Sequence, residues 1–124
     1  MVSGGAVIVL WVAYDDGKIA CTDTELVIRY YYFPPATKRI PYTAIREVRV
    51  VPLRAMGKWR IHGSGDFIHW FNFDIRRPRK NTALVIRLDT RIRPTITPDD
   101  PEQVATELAA HGVAVTRGTE RGAV

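Results

Sequence analysis

Four cations fall within the five residues Arg76-Arg77-Pro78-Arg79-Lys80. Guanidinium groups bind phosphate or carboxylate through paired hydrogen bonds, and an ammonium adds a compact point charge. Arg76, Arg77, Arg79 and Lys80 are therefore the candidate anion-binding residues of the chain. The same charges also suit a solvated loop, because proline stiffens a turn without making its side chains converge.

A second cluster of reactive residue types surrounds Gly63-Ser64-Gly65-Asp66, which has His62 on one side and His69 on the other. A metal needs three or four converging ligands. Strict alternation along a strand places His69 on a different face from its neighbours, so His62, Asp66 and His69 are not expected to converge. Ser64 lacks the Gly-x-Ser-x-Gly spacing and the strand-to-helix setting of a hydrolase nucleophile. Cys21 has no basic neighbour within two residues to lower its pKa and reads as a small buried side chain. Trp59 and Trp70, amid basic residues, could stack on single-stranded nucleic acid, but no RNA-binding signature accompanies them, and nucleic acid is disfavoured. No catalytic residue, metal ligand or cofactor is assigned.

These residues sit in a chain of single-domain length, 124 residues, able to bury a core without staples. One cysteine excludes an intrachain disulfide framework and fits a cytoplasmic protein. The formal charge of +5 is unevenly spread. Residues 29–93 hold 15 Lys/Arg against 4 Asp/Glu, while the rest hold 3 against 9. A basic middle can steer an anionic partner, including the inner face of a membrane. The longest apolar run, Ala6 to Tyr14, is too short to span a bilayer and is followed by Asp15-Asp16, which does not suit a signal-peptide cleavage site.

Seven or eight short strands followed by one helix are predicted. The strands read as Val7–Ala13, Glu25–Phe33, Thr37–Pro41, Arg46–Leu53, Trp59–His62, Phe67–Ile75, Thr82–Asp89 and a last run through Ile96, and Lys18–Cys21 is a short extended run. Asp15-Asp16-Gly17 and Thr22-Asp23-Thr24 supply turns. Ile40, Val48 and Val50 point inward, as does the face formed by Phe67, His69, Phe71, Phe73 and Ile75. Glu25–Phe33 is apolar on both faces and reads as a central strand. Asp100 is an N-cap, Pro101 suits the first helical position, and Gln103 can close a capping box. Val104, Ala105, Leu108 and Ala109 form one apolar stripe, and Gly112 ends the helix. Residues 116–124 read as disordered.

Three stretches together resemble the bacterial pleckstrin-homology-like (PH-like) domains of short actinobacterial proteins. They are Thr22-Asp23-Thr24-Glu25-Leu26-Val27-Ile28-Arg29, Arg39-Ile40-Pro41-Tyr42-Thr43-Ala44-Ile45-Arg46-Glu47-Val48 and Ile96-Thr97-Pro98-Asp99-Asp100-Pro101-Glu102. The resemblance implies a mainly β fold: a barrel of two near-orthogonal antiparallel sheets capped by a C-terminal helix. It divides the chain into a leading strand or arm (1–15), a PH-like domain (16–112) and a partly disordered tail (113–124). It implies no enzyme activity, and some bacterial relatives assemble into oligomers. Eukaryotic members often bind phosphoinositides through basic residues between their first two strands. Here that loop is Asp15-Asp16-Gly17 or Thr22-Asp23-Thr24, both acidic, and fold alone does not transfer the function. The expectation is a non-catalytic binding or assembly module. Its partner is an unidentified protein or a second copy, with an anionic membrane surface as the alternative and a small-molecule or enzymatic domain as the last.

Overall fold

A computed structural model describes residues 12–32 and 36–124. The expected strand Val7–Ala13 lies mostly outside the described residues, as does Phe33 at the end of the expected strand Glu25–Phe33. Strands β1 (Val12–Asp15), β2 (Ile19–Thr22), β3 (Glu25–Ile28) and β4 (Lys38–Pro41) form an antiparallel meander. A second sheet has the order β6-β8-β7-β5-β9, from β5 (Glu47–Pro52), β6 (His69–Phe71), β7 (Thr82–Arg87), β8 (Arg93–Ile96) and β9 (Val115–Arg117). A short helix, α1 (Ala55–Lys58), precedes β6, and the C-terminal helix α2 (Pro101–Ala110) precedes β9. The fold is mainly β with two sheets and a C-terminal helix, and the sheets do not close into a barrel. Among the described residues no helix is long and apolar enough to cross a membrane.

Alternation along the strands builds two apolar layers. Leu26, Ile28 and Ile40 of the first sheet meet Val48, Val50, Leu84, Ile86 and Ile96 of the second, and Val104, Ala105 and Leu108 of α2 complete this core. The opposite face of the second sheet carries Val51, Ala83 and Val85, which cluster with Leu53, Phe71 and Val124. Val27 is buried as well as Leu26 and Ile28, in keeping with a central strand covered on both faces. Asp100 caps α2 by accepting from the Gln103 N–H at 3.1 Å. The capping box is not closed: the Gln103 amide reaches the Ala13 carbonyl instead. Ala109 is exposed, so the apolar stripe is narrower than its spacing suggests.

Side chains that hydrogen-bond the backbone locally take part of the chain out of the ladder. The strand expected over Phe67–Ile75 is only His69–Phe71. Asp66 Oδ1 accepts from the Ile68 and His69 N–H groups, and Ser64 Oγ accepts from Phe67 N–H. Phe67 is left at φ 61° and 75% exposed, and Ile75 is 65% exposed, so neither belongs to the core. The strand over Glu25–Phe33 ends at Ile28, before a turn with Tyr30 at φ 57°. Trp59–His62 is not a strand. The resemblance implies antiparallel sheets, yet β6 pairs with β8, and β5 with β9, in parallel.

The tail corrects the expectation of disorder. Glu120, Ala123 and Val124 are all buried, with Val124 at 1% exposure. Gly57 makes room for it: a Cβ there would lie 2.5 Å from the Val124 carbonyl carbon and 2.6 Å from Leu53 Cδ1. Gly57→Ala should therefore cost about 1–3 kcal/mol through overpacking. The expected result is a lower urea midpoint, with faster amide exchange concentrated in residues 118–124. A midpoint unchanged from wild type would contradict this packing.

Candidate functional site

The basic segment does not connect neighbouring strands as a hairpin. It follows β6, and β8 lies between β6 and β7 in the sheet. Arg77–Arg79 forms a turn of 3-10 helix that points its first arginine inward. Arg77 is fully buried. Its Nε donates to Thr97 Oγ1 at 3.1 Å, and its NH1 to the Arg60 and Ile61 carbonyls at 2.6 and 3.1 Å. Its NH2 donates to Asn72 Oδ1 at 2.8 Å, and the guanidinium stacks 4.9 Å from the Phe71 ring centroid. Burial brings the group down to about 10, so it stays charged at neutral pH.

Lys80 turns inward as well, donating to Asp74 Oδ2 at 2.7 Å and to the Thr97 carbonyl at 2.5 Å. Asp99 lies 3.1 Å from Lys80 and 3.2 Å from Arg76. Burial works to raise the Asp74 carboxyl, but Lys80 and the Arg76 N–H hold it below the usual range. Arg79 stays exposed. The four cations therefore do not converge on one point outside the protein. Arg77 and Lys80 hold the loops together, and Arg76 and Arg79 face solvent. The turn between β1 and β2 is likewise committed: Asp16 accepts from Lys18, Ile19 and Asp99 N–H groups and from the Tyr14 hydroxyl.

The two histidines separate. His62 Nε2 lies 2.9 Å from the Tyr31 carbonyl. His69 sits between carboxylates, with Nδ1 2.6 Å from Asp66 Oδ2 and Nε2 2.6 Å from Glu120 Oε2. Each ring nitrogen thus faces a carboxylate oxygen. Burial works to raise Asp66, but N–H groups of His69, Ala123 and Ile68 and the His69 ring hold it well below the carboxylate range. Glu120 follows the same pattern, held down by His69 and Arg93 against burial. Among the described residues no group of three or more potential ligands is arranged to hold a metal ion. Cys21 is buried, which pushes its thiol up to about 12.

Sequence reasoning missed an aromatic cleft of about 270 Å³ between the β3–β4 and β7–β8 connections. Tyr31, Tyr32, Trp70 and Ile92 line it, with Lys38 at its edge. The Trp70 indole N–H donates to the Tyr31 carbonyl at 2.7 Å, which fixes the floor. The Lys38 ammonium lies 5.3 Å from the Tyr31 ring centroid and 5.9 Å from that of Tyr32. Tyr32 and Ile92 are 49% and 37% exposed. A second groove of about 310 Å³, sharing Lys38, Leu88 and Thr90, continues along β4. Trp70 was legible as lying opposite the Phe71 face. That it would meet Tyr31 and Ile92 was not, because these residues come together only when the sheets pack.

Removing the buried Arg77 side chain should be far more damaging than removing exposed Arg79. Arg77→Ala is expected to cost about 3–5 kcal/mol by leaving the buried acceptors of Thr97, Asn72, Arg60 and Ile61 without their donor. Arg79→Ala should stay within about 0.5 kcal/mol. Chemical denaturation of both variants checks this ordering. Asp66, Asp74 and Glu120 all have folded-state pKa values below their unfolded ones. They stabilise the fold above the ordinary carboxylate range of about 4, and the contribution is lost as pH falls through their folded values. The urea midpoint should decline steeply below about pH 4, less so in Asp66→Asn. No protein family, curated protein or solved structure matches the chain.

Proposed function

We propose that the chain is a non-catalytic PH-like binding module that takes an apolar anchor of a partner protein into the aromatic cleft. The observation that carries this reading is the cleft itself. Exposed Tyr32 and Ile92 frame a fixed Trp70 floor, and a cation sits beside the rings. Ligand sites are commonly concave, largely apolar and supplied with a few oriented polar groups. A volume of about 270 Å³ fits a single large side chain better than a drug-sized molecule.

The architecture supports the PH-like part of the reading. With β6 and β9 set aside as edge additions, the order is a four-strand meander, then β5, β7 and β8 as a three-strand meander, then a helix. Binding to a protein is supported by β4, which is paired on one side by β3 and bordered on the other by the adjoining groove. An extended partner segment could run along that edge while one side chain enters the cleft. The polar groups best placed for chemistry are engaged with the protein: Asp66 and Glu120 with His69, Asp74 with Lys80, and His62 with a carbonyl.

The experiment is a titration with indole and with indole-3-acetate, followed by the Trp70 indole N–H and Ile92 methyl resonances. Saturable shifts at both are expected, stronger for the carboxylate because of Lys38 and lost in Tyr32→Ala. Shifts confined to other residues, or no saturation with either probe, would overturn the reading.

A further inference from the structure

The tail is seated as a peptide would be in a groove of the second sheet. Val115–Arg117 adds to β5 in parallel, and Gly118 N–H continues the pairing to the Val50 carbonyl at 3.1 Å. Beyond it, three positions hold the segment. The Glu120 carboxylate meets His69 Nε2 at 2.6 Å and Arg93 NH1 at 2.7 Å, with Arg49 NH1 at 3.7 Å. Gly122 passes over Asp66 at φ 98°, where a Cβ would collide with Asp66 Oδ2. Val124 fills the slot of Val51, Leu53, Phe71, Ala83 and Val85. Arg54 grips the backbone by donating to the Glu120 carbonyl at 2.7 Å. Residues 116–119, 121 and 122 between these anchors are exposed.

This groove contains the parts of a peptide-recognition site: a sheet edge, a carboxylate receptor built from three basic side chains, and an apolar pocket. Its receptor is mostly prepared by groups outside the tail. His69 is oriented by Asp66, and Arg49 and Arg93 come from β5 and β8. We infer that the groove is a binding site for an extended glutamate-bearing peptide supplied in trans. Such a peptide carries a carboxylate, a glycine two residues later and a small apolar residue two beyond that, and Glu120, Gly122 and Val124 occupy the site in cis. A tethered segment competes at an effective concentration of about millimolar, so the site is masked until the tail is weakened or outcompeted. The aromatic cleft is lined by none of these residues, so the two sites stand independently.

The test uses the chain of residues 1–124 and a fluorescent peptide of residues 116–124, followed by anisotropy. Glu120→Gln weakens the tail in cis and should tighten peptide binding by at least about tenfold over wild type. Adding Arg93→Ala should abolish that gain, and a peptide carrying Gln in place of its glutamate should not bind. Val124→Ser opens the site from its apolar end and should give the same gain, so the reading does not hang on one variant's folding. Equal binding to wild type and both variants, a gain that survives Arg93→Ala, or no binding to either variant would each overturn it.

Discussion

A buried guanidinium cannot stay in an apolar interior unless its donors are met. Arg77 meets that demand by drawing in parts of the chain that no ladder would bring together: the Arg60 and Ile61 carbonyls, the Asn72 amide and the Thr97 hydroxyl. Asp74 and Lys80 extend the network to the Thr97 carbonyl and Asp99, near the start of α2. The segment from α1 to β7 has little regular structure, and β6 itself has three residues. Its position is fixed by this polar network more than by pairing. Both candidate sites depend on that position, since β6 carries Trp70 to the aromatic cleft and His69 to the tail.

The division of labour between the faces of β6 follows from alternation. Phe71 lies under Arg77 and joins the outer apolar cluster, with His69 beside it facing the tail. Trp70 points the other way, toward Tyr31. A one-residue shift in register would exchange these roles, carrying the indole to the tail and the imidazole to the cleft. The Asp66 hydrogen bonds to Ile68 and His69 act against such a shift, because they fix where the strand begins.

Much of the fold was legible because it rests on local signals. The turns at Asp15–Gly17 and Thr22–Thr24, the inward valines of β5 and the Asp100 cap follow from short-range chemistry, and the structure has them there. What was not legible depends on contacts remote in sequence. Charge count marked Arg76–Lys80 as the candidate anion site, yet no periodicity reveals that Arg77 turns inward, since its acceptors lie as far away as Thr97. The tail, polar and glycine-containing, has the composition of a loose end. Its order comes from partners on β5, β6 and β8 and from the space left by Gly57. Phe67 and Ile75 fitted an apolar alternation but lie beyond the ends of a strand cut short by Asp66 and Asp74.

The uneven charge distribution gains a more specific meaning from these contacts. Some basic residues of the middle segment meet acidic residues of the ends: Arg29 meets Asp15, Arg39 meets Glu25, Arg76 meets Asp99, and Arg93 and Arg49 meet Glu120. The ends thus offset part of the middle's charge through particular pairs, most of them exposed and individually weak. Glu120 differs because it is buried, its acceptors are matched by His69 and Arg93, and the pair closes over an apolar slot. A basic surface of this kind carries little information about its partner from net charge alone. The pairing of one buried carboxylate with an apolar anchor four residues away specifies a partner far more narrowly, because charge and spacing must both be satisfied.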